Sequence, residues 1–286
     1  MGSIGKTMSD ALTATLVRIA EALERMAPPP NPPPDFGAAR LFRHDLATGA
    51  FRPAPDFLLP MDLLVGVERQ KARLLDSLRR FALGLPSNHV LLWGVRGTGK
   101  SSLAKAAFMS VAADTPTMRM VEVDGEAVAA LPRLFEQFRD RTERFVVLCD
   151  DLSFEEGAAS AKALKSALEG GVAGPPANVL FLATSNRRHL MPRARGEQEG
   201  AMAAAEDAEE EVSVSDRFGA WIGFGPMDQD SYLSAVRGYA ERFALATDDL
   251  DRRALQWSRL RGSRSGRVAW QFIRELAGEL GRPLPV

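Results

Sequence analysis

Val90-Leu91-Leu92-Trp93-Gly94-Val95-Arg96-Gly97-Thr98-Gly99-Lys100-Ser101-Ser102 joins an apolar run to a helix-forming segment that reaches Ser110, through a turn of three glycines. From Gly94 to Ser101 it fits the phosphate-loop pattern G-x-x-x-x-G-K-S/T in the strand, loop and helix order that gives the pattern meaning. Glycines let a backbone wrap an anion closely, and the first-turn N–H groups of a helix are unpaired donors pointing outward. Gly94, Val95, Arg96, Gly97, Thr98, Gly99, Lys100, Ser101 and Ser102 are therefore the expected phosphate cradle. Lys100 is expected to reach the β- and γ-phosphates of a nucleotide, and the Ser101 hydroxyl to ligate Mg²⁺.

Outward from this stretch, short apolar runs alternate with helical periodicity. Glu68 to Leu83 precedes it as a helix. Arg119–Val123, Phe145–Cys149, Val179–Ala183 and Trp221–Phe224 follow as strands, with helical stretches at Gly125–Arg144 and Ala158–Glu169. Strands apolar throughout are buried on both faces, which predicts a largely parallel sheet of five strands flanked by helices. Beyond Asp228 the pattern is helical only, with candidates at Asp228–Phe243, Asp249–Leu260 and Val268–Leu280. The organisation expected is a nucleotide-binding core at 61–226 and a helical domain at 227–286. An irregular segment at 35–60, with short strands near Leu41-Phe42 and Ala50-Phe51, comes before the core. Within the core, residues 193–212 form an acidic, alanine-rich insertion without a sustained apolar face.

The first 34 residues form a separate unit. Ser9 or Asp10 caps a helix to about Met26, with Leu12, Leu16, Ile19, Leu23 and Met26 on one face. The run from Pro28 to Pro34 ends it as a semi-rigid spacer. That face is expected to pack on the main domain or on a partner or neighbouring subunit.

Of 286 residues, 45% are hydrophobic and 26% charged, which reads as an ordinary globular chain. The net charge of -1 offers no long-range attraction to nucleic acid or an anionic membrane. A nucleic-acid reading would rest on one local patch: Arg252, Arg253, Arg259, Arg261, Arg264, Arg267 and Arg274. One cysteine, Cys149, and three scattered histidines exclude an internal disulfide and a Cys/His metal cluster. With no signal-peptide pattern after Lys6 and no apolar run long enough to span a bilayer, the expected compartment is the cytoplasm, without membrane insertion.

The second chemical signal is Phe145-Val146-Val147-Leu148-Cys149-Asp150-Asp151, an apolar strand ending in two carboxylates. Asp150 is placed to hold Mg²⁺ and Asp151 to polarise an attacking water. Together with Ala183-Thr184-Ser185-Asn186 and Ser215-Asp216-Arg217-Phe218-Gly219, these stretches make the chain resemble the AAA+ ATPases, and more narrowly an uncharacterised bacterial family of AAA+ ATP-binding proteins. The likeness covers roughly Phe57 to Leu280. It implies a P-loop fold of AAA+ type with a small C-terminal helical lid, ATP and Mg²⁺ as cofactors, and ATP hydrolysis coupled to remodelling of a protein partner. It also implies a homo-oligomeric ring or spiral, a hexamer being one such assembly.

By the resemblance, Asn186 matches sensor 1, Arg217 the arginine finger that enters a neighbour's site, and Arg267 sensor 2, with Arg264 as its alternative. Val65 and Gly66 match the segment that lies against adenine. Asp151 stands where the superfamily usually has Glu, a feature shared with replication-initiator ATPases. That keeps two other readings in view, a nucleotide-gated scaffold with little turnover and a DNA-associated initiator or loader.

Overall fold

The computed structural model describes residues 12–22, 33–45, 48–56, 59–152, 158–169, 175–186 and 217–284. The acidic stretch 193–212 and the pair Arg187-Arg188 lie outside these residues. Helix α1 covers 12–22. The hairpin β1 (Leu41–Asp45) and β2 (Ala50–Ala54) comes next, followed by a short 3-10 turn at Met61–Leu63 and α2 (Glu68–Ala82). The chain then runs through β3 (Val90–Gly94), α3 (Lys100–Ala112), β4 (Met118–Val123), α4 (Leu131–Glu136), β5 (Arg144–Cys149), α5 (Ala158–Glu169), β6 (Val179–Ser185) and β7 (Ala220–Phe224). Helices α6 (Gln229–Arg242), α7 (Leu250–Leu260) and α8 (Gly266–Glu279) complete it.

The sheet has seven strands in the order β2-β1-β4-β5-β6-β3-β7, where five were expected. The expected five form a continuous parallel block, and β1 adds to it in parallel beside β4, with β2 antiparallel at the edge. The hairpin is half-exposed and carries Arg43, Arg52 and Pro53, so it lacks the unbroken apolar run by which buried strands are read. Its place is fixed by tertiary packing. Phe36 lies edge-on to Phe42, Phe51 and Phe145, and Phe138 stacks on Phe145 at 4.0 Å. The stretch expected as helix to Arg144 is a 3-10 segment at Gly125–Ala130 plus the short α4.

Strand alternation divides the core in two. Phe145, Val147 and Cys149 of β5 point into the layer under α4 and α5, with Phe181 and Ala183 of β6. Val146 and Leu148 point the other way, with Leu180 and Leu182, against Leu74, Leu78 and Phe81 of α2 and Leu103, Ala107 and Phe108 of α3. Helices α6, α7 and α8 enclose a third cluster around Tyr232, Val236, Phe272, Ile273 and Leu276. Tyr232 ties α6 to α7 by donating to the Ala254 carbonyl at 3.0 Å. Residues 63–67 join this unit to the core, since Leu63 and Val65 insert into the helical cluster while Leu64 and Val67 insert beneath α2 and α3.

Candidate nucleotide site

The carboxyl ends of β3, β5 and β6, side by side in the sheet, carry the phosphate loop, Asp150-Asp151 and Asn186 respectively. Parallel strands of an α/β sheet place their following loops at one edge, which is where such folds bind ligands. Gly94 closes β3 with φ +133°, and a Cβ there would lie 2.1 Å from the Phe224 carbonyl, so only glycine fits beside β7. At the crest, Gly97 has φ +77°, and a Cβ would meet Ser265 Oγ at 2.9 Å and Arg267 Cβ at 3.4 Å. The start of α8 therefore rests directly on the loop, and the Arg267 N–H donates to the Gly97 carbonyl at 3.3 Å.

Lys100 is 6% exposed, and its ammonium donates to the Gly94 and Val95 carbonyls, both at 2.9 Å, and to Asn186 Oδ1 at 3.0 Å. Burial lowers its pKa, Asp151 and Asp150 pull the other way, and Arg267 and Arg96 add to the depression. Three cations thus face two carboxylates around the loop, leaving an excess of positive charge that a polyanion would neutralise.

The carboxylates are held from several sides. Ser101 Oγ and Thr184 Oγ1 both donate to Asp150 Oδ1, the latter at 2.6 Å. The same Thr184 hydroxyl accepts from the Asp151 N–H at 2.9 Å, and the Thr184 carbonyl accepts from the Leu152 N–H at 2.7 Å. This pins the turn in which Asp151 takes φ +55°, a left-handed conformation that Asp tolerates better than most residues. Asn186 donates to Asp151 Oδ1, and Arg96 pairs with Asp151 Oδ2 at 3.6 Å. Asp151 thereby faces the loop crest, within reach of both sides of the site.

The structure thus brings together Gly94 to Ser101, Asp150, Asp151, Asn186 and Arg267. Of the segment holding Val65 and Gly66, Leu64 comes nearest the loop, 3.5 Å from where a Cβ on Gly99 would lie, while Val65 packs in the helical cluster and Gly66 against Ser231 of α6. Arg264, the alternative to Arg267, turns instead to Gln229 Oε1 at 3.4 Å. Arg217 is not brought in. It is exposed and precedes β7 by three residues; because Ala220 pairs with Val90, it stands a strand length, roughly 15 Å, from the loop beyond Gly94.

Two contributors escape a sequence reading. Thr184 is a hydroxyl 2% exposed that, with Ser185, ends an otherwise apolar strand, and a buried polar group needs partners. Ser265 caps α8 by accepting from the Val268 N–H at 3.3 Å and seats that helix on Gly97. Much of the arginine patch is occupied: Arg252 pairs with Asp249, Arg253 with Glu279, and Arg261 lies over Trp257 at 4.8 Å. Trp270 packs on Tyr239 and Phe243. Burial pushes the Cys149 thiol up to about 12, which leaves it inert.

The donor set suits a Mg²⁺-bound triphosphate. A hydroxyl and a carboxylate, Ser101 and Asp150, converge as hard oxygen ligands, and Mg²⁺ commonly takes only one or two protein oxygens beside phosphate and water. No cluster of three His, Cys, Asp or Glu side chains that could cage a metal alone occurs among the described residues.

A family model described as "Protein of unknown function (DUF815)" matches residues 37–280. The chain belongs to the DUF815 family. No curated protein matches it. Among solved structures, the DUF815 chain is similar to the RuvB Holliday junction branch migration motor of Thermotoga maritima, at 18% identity and a TM-score of 0.53, covering 80% of this chain and 67% of that one. It is also similar to the Aeropyrum pernix ORC1 protein solved in complex with DNA, at 16% identity and a TM-score of 0.55, covering 79% and 61%. The chain spans about two-thirds of the length of these structures. At such identities the likeness shows the fold alone, a seven-stranded α/β sheet flanked by helices with a helical unit after it. No described helix is long and apolar enough to cross a membrane.

Proposed function

We propose that this chain binds Mg·ATP between the core and the C-terminal helices, which act as its lid, and hydrolyses it in an oligomer to remodel a protein partner. The observation that carries the reading is the convergence of Lys100, Ser101, Asp150, Asp151 and Asn186 at the ends of three adjacent strands, with Arg267 seated on the loop crest. Bound there, Mg²⁺ would offset phosphate charge and align the terminal phosphoryl group. The Lys100 ammonium and the first-turn amides of α3 hold the phosphates. Ser101 and Asp150 supply the cation ligands. Asp151 accepts a proton from the attacking water, and Asn186 fixes its orientation. Arg217, remote from its own loop, neutralises charge developing in the site of the adjacent copy. The relatives in fold include a Holliday junction branch migration motor and a protein solved in complex with DNA, whereas in this chain intrachain ion pairs engage Arg252 and Arg253 and leave less of the one basic patch for a nucleic acid.

An equilibrium titration with Mg·ATP tests the binding step. Wild type is expected to saturate, and Lys100→Ala to bind on the order of a hundredfold more weakly. Failure of the wild type to bind, or unchanged affinity in Lys100→Ala, would refute the site. A second reading, a nucleotide-gated scaffold, is favoured by one observation: Arg96 and Asn186 both engage the carboxylate that must accept the proton. It predicts tight binding with negligible phosphate release at every protein concentration.

A further inference from the structure

We propose that Trp221 and Asn88 are positioning residues for Arg217, fixing the segment that carries it to the base of β3 so that its guanidinium is presented to a neighbouring copy from a rigid support. The inference rests on the role of Arg217 given under Proposed function and adds what makes its reach reproducible. A charged group that completes another copy's site must stand within a fraction of an ångström of its working place, and a misplacement of about 1 Å can cost on the order of a hundredfold in rate.

Arg217 itself is exposed, but the three residues that follow it are each held. Phe218 is 2% exposed and packs with Phe181 of β6, ring centroids 5.9 Å apart. Its carbonyl accepts from the Trp221 indole N–H at 2.7 Å. Gly219 lies flat on Asn88: a Cβ there would stand 2.4 Å from Asn88 Cγ and 2.8 Å from its Cβ, so the chain comes as close as a residue without a side chain allows. The Ala220 N–H donates to the His89 carbonyl at 3.2 Å, and His89 Nδ1 accepts from the Phe181 N–H at 3.1 Å. The pair Asn88-His89 thereby joins β6 and β7 at the start of β3.

Strand β3 carries this arrangement to the phosphate loop. At its other end the Val95 N–H donates to the Phe224 carbonyl at 3.2 Å, beside the close approach of Gly94 to the same carbonyl. With β7 fastened to β3 at both ends, Arg217 and the loop of one copy keep a fixed separation. Identical copies joined finger to loop then repeat one geometry from contact to contact, a head-to-tail interface.

The test mixes full-length copies so that lending and receiving are separate. The donor is Lys100→Ala, which lends Arg217 but has no working loop, and the receiver is Arg217→Ala. Gly219→Ala, which drives a methyl into Asn88, is added to one or the other. In the donor it should lower phosphate release by the mixture at least about tenfold; in the receiver, whose finger is already absent, it should change nothing. Trp221→Phe, which loses the N–H and keeps an aromatic ring, should show the same one-sided loss, and Asn88→Gly beside Gly219→Ala in the donor should restore most of the release. Without nucleotide, hydrogen exchange at the Ala220 amide should quicken in the Gly219→Ala chain while β3 keeps its protection, and Mg·ATP affinity should match wild type. Equal losses in donor and receiver would overturn the proposal, as would no loss in the donor or no rescue by Asn88→Gly. An unaltered pair no more active than its components would instead remove the role of Arg217, and this inference with it; a pair that responds yet is indifferent to Gly219→Ala in the donor removes the positioning alone.

Discussion

Thr184 makes the case for single atoms. Its hydroxyl donates to Asp150 and accepts from the Asp151 amide, so one side chain aligns both carboxylates. Thr184→Val keeps the shape and leaves that amide unpaired, a cost of about 1–3 kcal/mol at a buried position. ATP turnover should fall at least about tenfold while ATP affinity changes little, and Thr184→Ser should restore turnover; equal loss of both would point to misfolding instead. His89 gives a second test. Its Nδ1 accepts from the Phe181 N–H at 3.1 Å, and burial pushes its pKa down to about 4. The unfolded chain, with His near 6.5, takes up the proton first as pH falls. The stability is therefore fully present above about 6.5 and lost progressively toward about 4. Urea unfolding should show about 2 kcal/mol less stability at pH 5 than at pH 7.5 from this group, and His89→Gln should remove that part of the slope. Phosphate-loop roles were readable because the motif states its own chemistry. The Arg96 pairing with Asp151 was not, because it depends on how the loop crest faces the end of β5.

At the scale of elements, what was legible depended on how locally each is determined. The five parallel strands and α5 follow from apolar runs and periodicity, and the structure matches them to within two residues at each end. The β1–β2 hairpin was legible only as two weak strand signals, since its membership of the sheet comes from Phe36, Phe138 and Phe145 far along the chain. Contact between α8 and the loop was equally out of reach of spacing rules. It makes a prediction of its own: Ser265→Ala removes the cap of α8, worth about 1 kcal/mol. Hydrogen exchange should quicken at the Val268 amide, and ATP affinity should weaken as Arg267 loses its fixed start, whereas α6 should keep its protection.

For the whole molecule, the separation of Arg217 from the loop sets the logic. Lys100, Ser101, Asp150, Asp151, Asn186 and Arg267 of one copy gather at the phosphate loop, whereas Arg217 sits at the opposite end of β7. A site completed by a neighbour makes turnover depend on association, so specific activity should rise with protein concentration. The most direct test mixes two inactive variants. Arg217→Ala retains a complete loop but lends no finger, and should lose on the order of a thousandfold in turnover; Lys100→Ala lends the finger but has no working loop. Phosphate release measured on the mixture should rise well above that of either variant alone, because some loops then meet an intact Arg217. A mixture no more active than its components, beside an active wild type, would contradict the shared site.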